Sequence, residues 1–204
     1  MVLFDEISDY LDVSRETTDK LKIFIQCLEK WQNVTRLIAP GDFQEIWKRH
    51  ILDSLQLCNL IDVQSKHILD FGSGGGFPGM ILAIMGFGKN LKIHLVESNS
   101  RKAEFLRYVS RETGVNVAIL NKRFENVSID EIGVPQFITA RAVASLPVLI
   151  GWSEKFLKAG SVALFHKGKS YMDEIGEAQL SYKFQYHLHK SITDPDAVIV
   201  EIAM

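Results

Sequence analysis

Ile68-Leu69-Asp70-Phe71-Gly72-Ser73-Gly74-Gly75-Gly76-Phe77-Pro78-Gly79 is the stretch that decides the fold. A short apolar run, His67 to Phe71, enters a turn with five glycines in eight residues, and an apolar stretch from Pro78 to Met85 follows it. That order reads as strand, tight turn and crossover helix, the opening of an α/β unit. Proline suits the first position of a helix. The glycines let the main chain take positive φ and let a ligand approach it closely. Ligands of open α/β sheets bind at this carboxyl end of the strands, so the turn is read as a binding site.

Working outward, the same texture repeats downstream. Strands are expected at Leu91–Val96, Val115–Leu120, Phe137–Ala140 and Val162–Phe165, with helices at Ser100–Arg111 and Val143–Leu157. Strand–helix alternation of this kind predicts a mostly parallel sheet covered on both faces. The tail has two strand-like runs, Phe184–His189 and Ala197–Ile202, around the turn Thr193-Asp194-Pro195-Asp196; with no helix between them they predict an antiparallel pair at the sheet edge. Upstream, residues 14–31 place Leu21, Phe24, Ile25, Leu28 and Trp31 at helical spacing behind a capping Ser14. Residues 43–60 repeat the pattern, after the turn Ala39-Pro40-Gly41-Asp42. The chain therefore reads as a single domain, residues 1–62 forming a helical cap and 63–204 an α/β core.

Composition agrees. Of 204 residues, 47% are hydrophobic and 24% charged, which excludes disordered, collagen-like and membrane architectures. Met1–Tyr10 has three acids and no Lys or Arg, unlike a signal peptide. The apolar run Phe77–Phe87 is too short to span a bilayer. Cys27 and Cys58 sit in helical apolar patterns and are expected to be buried free thiols in a reducing cytosol. No Cys/His cluster has metal-ligand spacing.

Two ligands compete for the turn. Gly74, Gly76 and Gly79 satisfy the dinucleotide pattern G-x-G-x-x-G. Asp70 argues against it, because an acid there repels a pyrophosphate and suits an amino-bearing ligand such as the methionine part of S-adenosylmethionine. Glu97 ends the second strand, about 20 residues beyond the turn, where a carboxylate accepts hydrogen bonds from ribose hydroxyls. Asp70 with Glu97 favours S-adenosylmethionine. A nicotinamide oxidoreductase and a non-catalytic module with a relic pocket remain the alternatives. The chain has no Asn-Pro-Pro-Tyr or Asp-Pro-Pro-Tyr for an exocyclic amine, and no Pro-Cys nucleophile for attack on cytosine C5.

Several motifs occur in a telling order: Asn33-Val34-Thr35-Arg36-Leu37, Arg49-His50-Ile51-Leu52-Asp53-Ser54-Leu55, the glycine turn, Val96-Glu97-Ser98-Asn99, Lys102-Ala103-Glu104-Phe105-Leu106-Arg107, Arg123-Phe124-Glu125, Ala140-Arg141-Ala142 and Lys167-Gly168. Over residues 20–170 the chain resembles the bacterial RsmG family, also called glucose-inhibited division protein B, the 16S rRNA guanine-N7 methyltransferases. The resemblance implies a Rossmann-like class I S-adenosylmethionine-dependent methyltransferase fold. It implies that Asp70, Gly72, Gly74, Gly76 and Phe77 line the cofactor pocket, that Glu97 is the ribose acid, that Phe124 and Glu125 flank the adenine, and that Arg141 lies beside the methyl-transfer site. The family's C-terminal end often carries a basic residue; Glu201–Met204 has none, so no RNA contact is expected from it.

Guanine N7 carries an in-plane lone pair and no proton, so its methylation needs positioning rather than a general base. Arg141 and Arg123 are the candidates to bind guanine O6 or a phosphate, and His50 to close over the target base. The expected partner is 16S rRNA in an assembled 30S subunit or an assembly intermediate, with a monomeric enzyme in the cytoplasm and no membrane contact. The net charge of −2 disfavours nucleic acid for the chain as a whole. Basic residues nevertheless gather near the inferred site (Arg49, Arg101, Lys102, Lys122, Arg123, Arg141, Lys167, Lys169), while acids concentrate in Asp5–Asp12 and Asp173–Glu177. That distribution predicts preference for a structured ribonucleoprotein over naked RNA.

Overall fold

A computed structural model describes residues 13–39, 41–62, 64, 67–86 and 91–204; the expectations for Met1–Tyr10 and for the acids of Asp5–Asp12 lie outside them. The first helix, α1 (Arg15–Gln32), starts where Ser14 Oγ accepts the Thr17 amide at 3.1 Å and buries Leu21, Phe24, Cys27 and Leu28. Residues 42–59 are helical but not one helix. A 3₁₀ turn (Asp42–Glu45) passes into a π-type stretch (Trp47–Leu52), a single α turn (Asp53–Leu55) and another 3₁₀ turn (Gln56–Asn59). Side chains compete with the main-chain ladder here: Ser54 Oγ donates to the His50 carbonyl at 2.6 Å and Gln56 Nε2 to that of Asp53 at 2.9 Å. π-type turns of this sort recur at functional sites.

The core is a seven-stranded sheet of β1 (His67–Phe71), β2 (Lys92–Val96), β3 (Ala118–Leu120), β4 (Phe137–Arg141), β5 (Val162–Lys167), β6 (Gln185–Lys190) and β7 (Val198–Ala203), in the order β3-β2-β1-β4-β5-β7-β6. The first five strands are parallel, and β7 runs antiparallel to both β5 and β6. This is the parallel sheet with an antiparallel edge that the alternation predicts. Strand β3 is shorter than expected.

Helices α2 (Gly79–Met85), α3 (Ser100–Thr113), α4 (Leu146–Lys158) and α5 (Tyr171–Gln179) cover the sheet. Every residue of β1 is buried, as a strand covered on both faces requires. Ile68 joins Leu21, Leu28, Ile51, Leu55, Met80 and Leu106 on one face, and Leu69 joins Phe71, Ile138, Leu149, Ile150 and Phe165 on the other. The helical segments before β1 thus pack on the same face as α2 and α3. Helix α4 starts three residues later than expected, because Ala142 turns away from β4 with φ 54°. Helix α5 was not expected: Asp173, Glu174 and Glu177 read as an acid cluster, although Ile175 and Ala178 form its buried side. Cys27 and Cys58 are free and buried. No helix among the described residues is long and apolar enough to cross a membrane.

Candidate active site

The glycine turn crosses the end of β2. The amides of Gly72 and Ser73 both donate to the Val96 carbonyl, at 2.9 and 3.2 Å. Glu97, one residue further, accepts the Gly74 amide at 3.0 Å through Oε2 and the Asn99 amide at 2.7 Å through Oε1. Gly72, Gly74 and Gly76 all have positive φ, so the turn needs residues without a Cβ penalty. The segment after α1 lies against it: a Cβ on Gly75 would stand 3.0 Å from the Leu37 carbonyl oxygen. A carboxylate and a glycine main chain at the carboxyl ends of β1 and β2 fit a ribose and an amino-acid moiety.

They do not fit a pyrophosphate. A dinucleotide fold offers the first free amides of the helix to that group. Here the Gly79 amide donates to Asp70 Oδ2 at 3.2 Å and the Met80 amide to the Gly76 carbonyl at 3.0 Å. Asp70 is fully buried, with Oδ1 taking the Thr139 hydroxyl at 2.6 Å and Oδ2 the Gly79 amide, so its carboxylate fastens α2 to the sheet. Burial pushes its pKa up to about 6, against the hydrogen bonds from Ser73, Thr139 and Gly79.

On the other side of β1 lies a cavity of about 550 Å³, in the range of a small-molecule site. His50 and Asp53 from the cap, Arg141 and Ala142 from the end of β4, His166 and Lys167 from β5, and Thr193 and Asp194 from the β6–β7 loop line it. Arg141 is the hub. Its Nη1 donates to the Arg49 carbonyl at 2.8 Å and to Asp53 Oδ2 at 3.0 Å, its Nη2 donates to His50 Nδ1, and its guanidinium lies 5.1 Å from the centre of the Phe77 ring. Because His50 Nδ1 accepts, its Nε2 carries the proton and donates to Asp42 Oδ2 at 3.2 Å. Burial and the neighbouring Arg141 push the His50 pKa down to about 4, so the ring is neutral at physiological pH. Ala142, in a left-handed conformation that costs a non-glycine residue energy, sits directly beside this hub.

The family described as GidB, rRNA small subunit methyltransferase G, matches residues 17–199. The chain belongs to this family. It is 43% identical over 197 residues to ribosomal RNA small subunit methyltransferase G of Rhizobium meliloti, covering 95% of this chain and 92% of that one. It is 39% identical over 198 residues to the protein of the same name from Paramagnetospirillum magneticum, covering 97% and 94%. Among solved structures, a putative O-methyltransferase from Klebsiella pneumoniae shares the fold with TM-score 0.60 at 12% identity, over 99% of this chain and 96% of that one. The Pyrococcus abyssi tRNA (uracil-54, C5)-methyltransferase in complex with S-adenosyl-L-homocysteine matches with TM-score 0.53 at 17% identity, over 74% of this chain and 37% of that one. The fold is that of the class I methyltransferases.

The residues that the GidB resemblance marked do not all meet. Arg141 and His50 are brought together, with Phe77 beneath them; its ring is 4.9 Å from that of His50, so it serves as their platform and is only 5% exposed. Phe124 is buried between Phe71 and Trp152, at 5.1 and 4.7 Å between ring centres, while Glu125 next to it is exposed. Arg123 precedes them after β3, three strands from β4, or about 14 Å at the usual spacing. Lys167 is also not a free cation: its Nζ is held by Glu174 at 2.5 Å and by the Ala144 carbonyl at 2.9 Å. Asp42, Asp53, His166 and Thr193 join the site without a functional motif in the sequence to mark them. Asp53 belongs to the Arg49–Leu55 motif, but its charged partner is Arg141, 88 positions away, while Arg49 pairs with Asp42.

Proposed function

We propose that this chain transfers the methyl group of S-adenosylmethionine to N7 of a guanine in 16S rRNA of the small ribosomal subunit. The observation that carries this reading is the family match over residues 17–199. The fit of the glycine turn and Glu97 to the cofactor's amino-acid and ribose parts supports it. We read residues 1–62 as a cap and 63–204 as the catalytic core of one domain.

Bound in that turn, S-adenosylmethionine supplies an electrophilic methyl carbon on a sulfonium. The protein's own task is to hold the base with N7 in line with that carbon. No residue has to remove a proton from N7, and the neutral His50 is not poised to donate one. Arg141 can offer a bond to O6 while leaving N7 bare, because its Nε–H and one Nη2–H are outside the bonds described above. N7 gains a methyl group and the ring gains the positive charge that leaves sulfur with the broken C–S bond, so no proton moves.

Exposed cations mark an RNA-facing rim at the carboxyl ends of the strands. Arg101 follows β2, Arg123 follows β3 and Lys169 follows β5, and none of the three has an ion pair among the described residues. With a net charge of −2 over the whole chain, this rim favours a shaped ribonucleoprotein, the 30S subunit or an assembly intermediate, over naked RNA. A monomeric, cytoplasmic enzyme is part of the same reading. Transfer of labelled methyl groups to 30S particles, to protein-free 16S rRNA and to short RNA hairpins tests it: faster transfer to particles is expected, and equal transfer to the hairpins overturns the substrate preference.

A further inference from the structure

Among the groups around the cavity, the carboxylate of Asp53 is the most heavily engaged. Oδ2 accepts from Arg141 Nη1 at 3.0 Å. Oδ1 accepts from the Thr193 hydroxyl at 2.8 Å and from Gln56 Nε2 at 2.7 Å. Its main-chain carbonyl takes His166 Nε2 at 2.9 Å. The cap, the end of β4, strand β5 and the β6–β7 loop therefore all converge on one residue. Burial acts to raise the Asp53 pKa, but the pull of His166 and Arg141 and the bond from Thr193 outweigh it and hold the group below its ordinary value, so it is an anion.

The charge matters because of the reaction. A purine alkylated at N7 becomes cationic as the new bond forms. A bare guanidinium at that position opposes the change, whereas one paired with a carboxylate can still donate hydrogen bonds without a net positive field. We propose that Asp53 is a positioning residue for methyl transfer: it orients Arg141 and neutralises it beside the base that becomes positively charged. The proposal rests on the methyl-transfer reading above. It also gives the β6–β7 loop a role, since Thr193 steers the carboxylate from the far side of the cavity.

The test is single-turnover methyl transfer to 30S particles by Asp53→Asn, which keeps the size of the side chain and an acceptor for Thr193 but removes the charge. The rate at saturating substrates is expected to fall about 10- to 100-fold, with affinity for S-adenosylhomocysteine within about twofold of wild type. Binding of N7-methylated particles should weaken more than binding of unmethylated ones, which a purely structural defect does not produce. Asp53→Glu should recover part of the rate. Thr193→Val, which loosens the same carboxylate without changing any charge, should slow transfer about threefold and decides the matter if Asp53→Asn does not fold. An unchanged rate, or equal weakening for methylated and unmethylated particles, overturns the proposal. A wild-type chain that forms no N7-methylguanosine removes the methyl-transfer reading and the proposal together; a wild type that forms it beside an unaffected Asp53→Asn removes the proposal alone.

Discussion

The Gly79 amide donates to Asp70 Oδ2 at 3.2 Å, and a Cβ built on Gly79 would stand 2.5 Å from that same oxygen. The two residues fasten the start of α2 to β1 in a space that admits no methyl group. Gly79→Ala is expected to destabilise the fold by about 1–3 kcal/mol through overpacking, read as a lower midpoint in urea with an unchanged slope. A midpoint equal to wild type would show that α2 can shift at no cost.

The pH dependence of stability has opposing contributions with known signs. His50 and His94 have pKa values lowered to about 4, both chiefly by burial, so they contribute stability that is complete above the unfolded value near 6.5 and is lost as pH falls through 4. Each is worth about 3 kcal/mol by that difference. Asp70, raised to about 6, acts oppositely: its contribution is complete below the unfolded value near 4 and is lost as pH rises through 6. The histidines win because burial lowers four of them, His67 and His166 as well as His50 and His94, against the one raised acid. Stability should therefore fall between pH 6.5 and 4, and His94→Gln should flatten that fall. Denaturant melts at half-unit pH steps measure it; a profile that rises toward pH 4 would reverse the balance.

Glu97 holds two main-chain amides with both oxygens at the point where the ribose is expected. Glu97→Gln should weaken binding of S-adenosylhomocysteine about 10- to 100-fold, the usual worth of a charge-assisted hydrogen bond. Calorimetric titration reads this directly. Binding within twofold of wild type would move the ribose elsewhere, and tight binding of NADH with none of S-adenosylhomocysteine would revive the dinucleotide alternative.

Arg141 and Arg123 should separate cleanly in kinetics. Arg141→Ala is expected to lower the rate at saturating substrate by at least about 100-fold while the far-ultraviolet spectrum stays unchanged. Arg123→Ala should leave that rate alone, raise the KM for 30S particles a few-fold and reduce the salt dependence of binding by about one ion. If both variants lose rate equally, the separation by three strands does not govern their roles.

The β-strands and the glycine turn are legible because a buried parallel strand is a mostly apolar run and glycine alone takes positive φ without a Cβ penalty, here three times in five residues. Helix α1 was legible from its capping Ser14 and its regular spacing. The break in residues 42–59 was not, since its cause lies in side-chain bonds such as Ser54 to the His50 carbonyl, which have no periodicity. The partners of Asp70 are hidden from sequence for a related reason: Thr139 reaches it across the sheet and Gly79 along the chain. The network of Asp53 with Arg141 and Thr193 joins residues separated by 88 and 140 positions, contacts that only the folded sheet reveals.

Methyl transfer to guanine N7 has a direct chemical signature. Cleavage at N7-methylguanosine after mild reduction and aniline, mapped along 16S rRNA from cells with and without this protein, tests the reaction and its target atom at once. One cleavage site is expected that appears only when the protein is present and disappears with Arg141→Ala. Identical maps with and without the protein, or a methyl group found on another atom of the RNA, would contradict it.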